Sequence, residues 1–151
     1  MRIALLLHLL GVTVWIGGMF FAYMALRPAA ARLLQPPQRL ALWRETLGRF
    51  FTWVWVSIIA LYASGLHMLA SAYGMRAAPG YVLAMAAIAT VMTAIFAYVY
   101  FGPFRVFARE VDAQNWPAAG SALNRIRQLV ATNLVLGLVT VAVAAFGGLL
   151  G

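Results

Sequence analysis

Ile3–Leu26 reads IALLLHLLGVTVWIGGMFFAYMAL, a run with no arginine, lysine or carboxylate in it. Wound as a helix at about 1.5 Å per residue, it is long enough to cross a hydrocarbon layer of roughly 30 Å. It is too long for the apolar segment of a secretory signal, and Arg27 follows it directly, so it is expected to remain as a mature span. Three further runs of the same kind follow, at about 50–72, 81–103 and 129–149. The whole chain has 151 residues, 65% of them hydrophobic and 9% charged, where a soluble domain carries about a quarter charged residues. The expectation is an all-α integral membrane protein: one domain over residues 1–151, folded as an antiparallel four-helix bundle in the lipid bilayer.

The charges give this bundle a direction. All eleven basic residues are arginine, and the formal net charge is +8. Nine of the arginines fall in two segments between spans: Arg27, Arg32, Arg39, Arg44 and Arg49 in the first, Arg105, Arg109, Arg125 and Arg127 in the second. Arginine confined to alternate loops reflects membrane topology rather than a nucleic-acid surface, and no nucleic-acid partner is inferred. The positive-inside rule puts both long segments in the cytoplasm and both termini on the periplasmic side of a bacterial inner membrane. Pro36-Pro37 reads as a helix start running into the second span, and Asn115 as a cap for a helix opening with Trp116 and Pro117. No cysteine is present, which excludes disulfides and thiolate chemistry.

Stepping three and then four residues along each span collects small and polar side chains. The first span yields His8, Gly11, Trp15, Gly18, Ala22 and Ala25, and the second Ser57, Ala60, Ser64, His67 and Ser71. The third yields Ala87, Thr90, Ala94 and Ala97, and the fourth Asn133, Gly137, Thr140, Ala144 and Gly147. These are the expected inward seams, since small residues let helices approach in lipid while hydroxyls and amides bond between them. Thr90, Thr140 and Asn133 are the expected interhelical bonds.

His8 and His67 stand on two of these seams. His8 is six residues past Arg2, and His67 six before Tyr73. Both therefore come about 9 Å inside the outer boundary, and neighbouring antiparallel helices should turn the two rings toward one another or a shared cavity. Ionisable groups inside a span point to function. Ser64 and Ser71, on the face of His67, could fix its tautomer. Met68 follows His67, and Met1, Met75 and Met85 fall in the same half; imidazole with thioether suits a Cu(I) ion. Glu45, Glu110 and Asp112 all lie in the arginine-rich segments, so no carboxylate accompanies the histidines and no catalytic set is assigned.

The stretch Leu7-His8-Leu9-Leu10-Gly11-Val12-Thr13-Val14-Trp15-Ile16-Gly17-Gly18-Met19 resembles the opening helix of the copper-resistance D (CopD-like) membrane domain. Arg49-Phe50-Phe51 and Ala63-Ser64-Gly65-Leu66-His67 are similar to the entry and exit of that family's next span. The resemblance implies an inner-membrane protein of copper handling, working beside a periplasmic copper carrier. The first helix also resembles that of the HemJ-type protoporphyrinogen oxidases, which bind haem b in a four-helix membrane bundle; His8 matches their first-span histidine. Their third span carries a functional lysine, and this chain has none.

Three readings follow. In the first, His8, His67 and Met68 hold a copper ion for uptake or tolerance. In the second, His8 and His67 are axial ligands of haem b in a cytochrome exchanging electrons with a quinone; Gly11 and Gly65 make room for the macrocycle, and Trp15 or Tyr62 packs against it. In the third, the protein is a scaffold without metal. A homo-oligomer is compatible with each.

Overall fold

The computed structural model describes residues 1–74 and 78–150, with side chains described as far as Gly147. Met75 and Arg76 lie outside the described residues. Among those described, all regular structure is helical: α1 (Arg2–Leu33), α2 (Pro36–Tyr73), α3 (Gly80–Phe101), α4 (Pro103–Asp112) and α5 (Trp116–Leu150). Four stretches are long and apolar enough to cross a membrane: α1, α2, α3 continued by α4, and α5.

Local chemistry sets the breaks. Leu34 and Gln35 are extended ahead of Pro36, because proline disfavours helical backbone in the residue before it. Pro36 and Pro37 then occupy the first turn of α2, where a missing N–H costs nothing. Gly74, with φ +55°, ends α2. Gly102 and Pro103 separate α3 from α4. Gln114, also at positive φ (56°), turns the chain into α5. Asn115 opens α5 as expected, but its side-chain amide donates to Glu110 Oε2 at 2.9 Å rather than closing the new helix. With 38 residues, α2 extends to about 57 Å and outreaches the hydrocarbon layer.

The helices associate as two antiparallel pairs, α1 along α2, and α3 with α4 along α5. The pairs meet in a layer of aromatic rings. Phe96 lies 5.1 Å from Trp55, 5.3 Å from Phe51 and 6.3 Å from Trp15, and Phe51 lies 4.9 Å from Phe104, all edge to face. Below them Trp43, Leu47, Phe107 and Ile126 complete a core toward the arginine-rich end.

The seams depart from the expected ones in three places. α1 contains two π-helical turns, Thr13–Gly17 and Ala22–Leu26. Each takes up an extra residue, so the buried line runs through Gly11, Trp15, Met19, Ala22 and Ala30, and Ala25 is exposed. On α2 it runs through Ser57, half-buried Leu61, Ser64 and half-buried Met68, beside His67 and Ser71, which are exposed. On α3, Met92, Phe96 and Val99 are buried while Ala87, Thr90 and Ala94 are exposed. There Met92, Phe96 and Val99 fill the core, while Leu83, Val91 and Tyr98 are exposed along with the small residues.

Candidate functional site

The histidine-bearing half of the α1–α2 pair is set by close backbone approach. A Cβ on Gly11 would stand 2.9 Å from Leu61 Cγ and 3.2 Å from the Ser57 carbonyl oxygen. Toward the arginine-rich end, one on Gly18 would overlap the Phe50 ring. Glycine at position 11 thus brings α1 against α2, and the space beside it is filled by Leu61. Trp15, expected beside a cofactor, is buried against Phe96.

One turn before Gly11, the half-buried His8 faces α2. Its Nδ1 is 3.1 Å from Ser64 Oγ, and the missing Cβ of Gly65 leaves 3.5 Å to Cε1. The hydroxyl of Ser64 donates to the Ala60 carbonyl at 2.5 Å. Its single hydrogen is thereby committed, and toward His8 the oxygen can only accept. In that arrangement a neutral imidazole with its hydrogen on Nδ1 donates to Ser64 Oγ and keeps its free lone pair on Nε2. Ser64 was expected to orient His67; it orients His8 instead.

His67 is exposed. Three residues beyond Ser64, it stands about 60° round the helix and about 4.5 Å nearer the loop. It is not brought into hydrogen-bonding contact with His8 among the described residues. Met68, four residues past Ser64, shares that residue's face and is half-buried. Met1 is exposed and Met85 half-buried. Ser64, Gly65 and Met68 therefore line up on the side of α2 that holds His8, and His67 stands on its flank. Among the described residues there is no cluster of three or more histidine, cysteine or carboxylate side chains that would hold a metal.

Other polar positions of the spans join helices or bond within one. Asn133 Nδ2 donates to the Met92 carbonyl at 3.0 Å, joining α5 to α3. Among the described residues Thr140 bonds within its own helix, to Leu136 O. Thr90 accepts from the Tyr62 hydroxyl at 3.2 Å, with Thr93 Oγ1 3.4 Å from the same oxygen. Tyr62 thus ties α2 to α3 where a macrocycle contact was expected. Its partners become legible only once α3 is seen to turn its threonines toward α2.

The family model for copper resistance protein D matches residues 44–146, more than half of the chain. The chain belongs to the copper resistance protein D family. No curated protein and no solved structure matches it significantly. The matched stretch takes in Ser64, Gly65, His67 and Met68 and begins after α1, so His8 is contributed from outside it. In this CopD-family chain α1 still packs along the matched α2, and the seam between them joins the two parts.

Proposed function

We propose that this CopD-family protein handles copper at the membrane, through a site on the α1–α2 seam whose central donor is His8. The observation that carries the reading is the contact of His8 Nδ1 with Ser64 Oγ at 3.1 Å: a hydrogen on Nδ1, donated to Ser64, would leave the Nε2 lone pair available to a metal. Met68 on the same seam and His67 on its flank are the further donors, a soft and borderline set suited to Cu(I). The arginine distribution supports an orientation with this end on the periplasmic side of a bacterial inner membrane, where a periplasmic carrier would deliver the ion. Below His8 the seam offers Ser57, whose hydroxyl donates to Trp53 O, and then aromatic rings. Reception and tolerance therefore fit this chain better than conduction through it.

The test is copper retained per chain after Cu(I) loading and desalting in detergent, for the natural protein beside His8→Ala, His67→Ala and Ser64→Ala. His8→Ala should abolish retention, and Ser64→Ala should weaken it about tenfold. Retention unaffected by His8→Ala would sink the site. A Soret band in the protein as purified would replace copper with haem b.

A further inference from the structure

At the arginine-rich end, far from His8, a cavity of about 330 Å³ lies between α1, α2 and α5, large enough for a small-molecule or head-group site of about 300 Å³ or more. Its walls divide by chemistry. Trp43, Phe50 and Val130 supply apolar surface, and Arg27, Arg39 and Arg127 supply charge. The second π turn of α1 makes this wall: the extra residue in Ala22–Leu26 brings Arg27 round toward the interior, half-buried, while Ala25 and Ala29 are exposed. Such turns recur at functional sites. The Arg27 guanidinium lies over the Tyr23 ring at 4.9 Å, and Arg127 donates to Asn124 Oδ1.

None of the three arginines has a carboxylate partner among the described residues. The chain has three acidic side chains in all, and each is engaged elsewhere. Arg49 holds Glu45 at 2.6 Å, Arg109 holds Glu110 at 2.9 Å, and Arg44 meets Asp112 at 3.5 Å. Arg27 and Arg39 are half-buried and Arg127 is exposed, and three like charges around one partly apolar cavity repel one another. An anion from outside the chain would relieve that repulsion. Arg27 directly follows the apolar run Ile3–Leu26, which puts it at head-group depth, whereas Phe50 and Val130 sit at the ends of apolar spans.

We propose that this cavity binds an anionic phospholipid, the phosphate held by Arg27, Arg39 and Arg127 and the start of an acyl chain lying against Phe50 and Val130. Guanidinium groups grip phosphate oxygens through paired, charge-assisted hydrogen bonds. A free phosphate would satisfy the arginines and leave the apolar wall bare; a zwitterionic lipid would place its own cation among them.

The experiment is thermal unfolding of the full chain in neutral detergent, titrated with phosphatidylglycerol, phosphatidylcholine or inorganic phosphate. Phosphatidylglycerol alone should raise Tm in a saturable way. The Arg27→Gln/Arg39→Gln/Arg127→Gln protein should need about tenfold more lipid for the same shift or lose it. Arg32→Gln, at the same end but outside the cavity, should respond as the natural protein does. Should the triple variant not fold, Arg39→Gln alone is examined by native mass spectrometry and should retain less phosphatidylglycerol than Arg32→Gln. An equal response in cavity and control variants would overturn the proposal, and so would a full effect from inorganic phosphate alone.

Discussion

At the arginine-rich end, α1, α2, α4 and α5 close over Leu47, Phe51, Phe107 and Ile126, a core of large side chains like that of a soluble protein. At the histidine end, the same α1 and α2 touch through Gly11, Ser57, Ser64 and His8, and α5 comes so close to α3 that a Cβ on Gly147 would lie 2.5 Å from Tyr81 Cβ. The contrast follows from the solvent. Leu47, Phe107 and Ile126 lie beyond the apolar runs, where removing apolar surface from water favours large side chains. Within lipid that gain vanishes, because a neighbouring helix is no more apolar than the acyl chains. Helices there associate through van der Waals packing, as Trp15, Trp55 and Phe96 do, and through small residues and hydrogen bonds. The histidine end can therefore carry an imidazole and a hydroxyl in its seam, and the arginine end can frame a cavity in a rigid aromatic wall.

The largest effect that would test this contrast belongs to the aromatic core. Phe51 lies edge to face with Phe96, Tyr100 and Phe104, and Phe51→Ala should cost about 3–5 kcal/mol, seen as a pronounced fall in Tm in detergent. A fall no greater than that of an exposed control, such as Phe20→Ala, would mean that the rings do not form the core. Next comes Gly11→Leu at the histidine end. It forces α1 from α2 at a cost of about 1–3 kcal/mol, and it should also reduce copper retention by separating His8 from Ser64. Unchanged Tm together with unchanged retention would show that the crossing is looser than described. The smallest effect is that of Gly65→Ala. The added methyl would sit in ordinary contact with His8, 3.5 Å from Cε1, and should change stability by no more than about 0.5 kcal/mol. A Gly65→Ala defect as large as that of Gly11→Leu would remove the distinction between a glycine required by the helix crossing and one that merely borders the imidazole.

Much of the fold is legible in the chain. The four apolar runs, the proline start of α2 and the antiparallel pairing of α1 with α2 all follow from residue order. The seams are harder, because α2 offers two lines one residue apart. Ser57, Ala60, Ser64, His67 and Ser71 form one, and Ser57, Leu61, Ser64 and Met68 the other. Both have nearly helical spacing, and polarity favours the first. Packing takes the second, because α1 approaches at Leu61 through Gly11. On α3, selecting small residues picks Ala87, Thr90 and Ala94, whereas Phe96 packs inward between two tryptophans. No local pattern announces that choice.

Hydrophobic run length, arginine placement and the scarcity of ionisable groups determine from sequence alone that this chain spans a membrane with a histidine in each of its first two helices. These are properties of composition along a line, and lipid acts on them without regard to partners. Which face each helix turns inward is decided only in three dimensions. Two π turns shift the register of α1, the glycine crossing selects the line on α2, and the hydroxyl of Ser64 finds the ring of His8 rather than that of His67. A difference of one residue rotates a side chain by about 100°, and only contact between helices selects among such rotations.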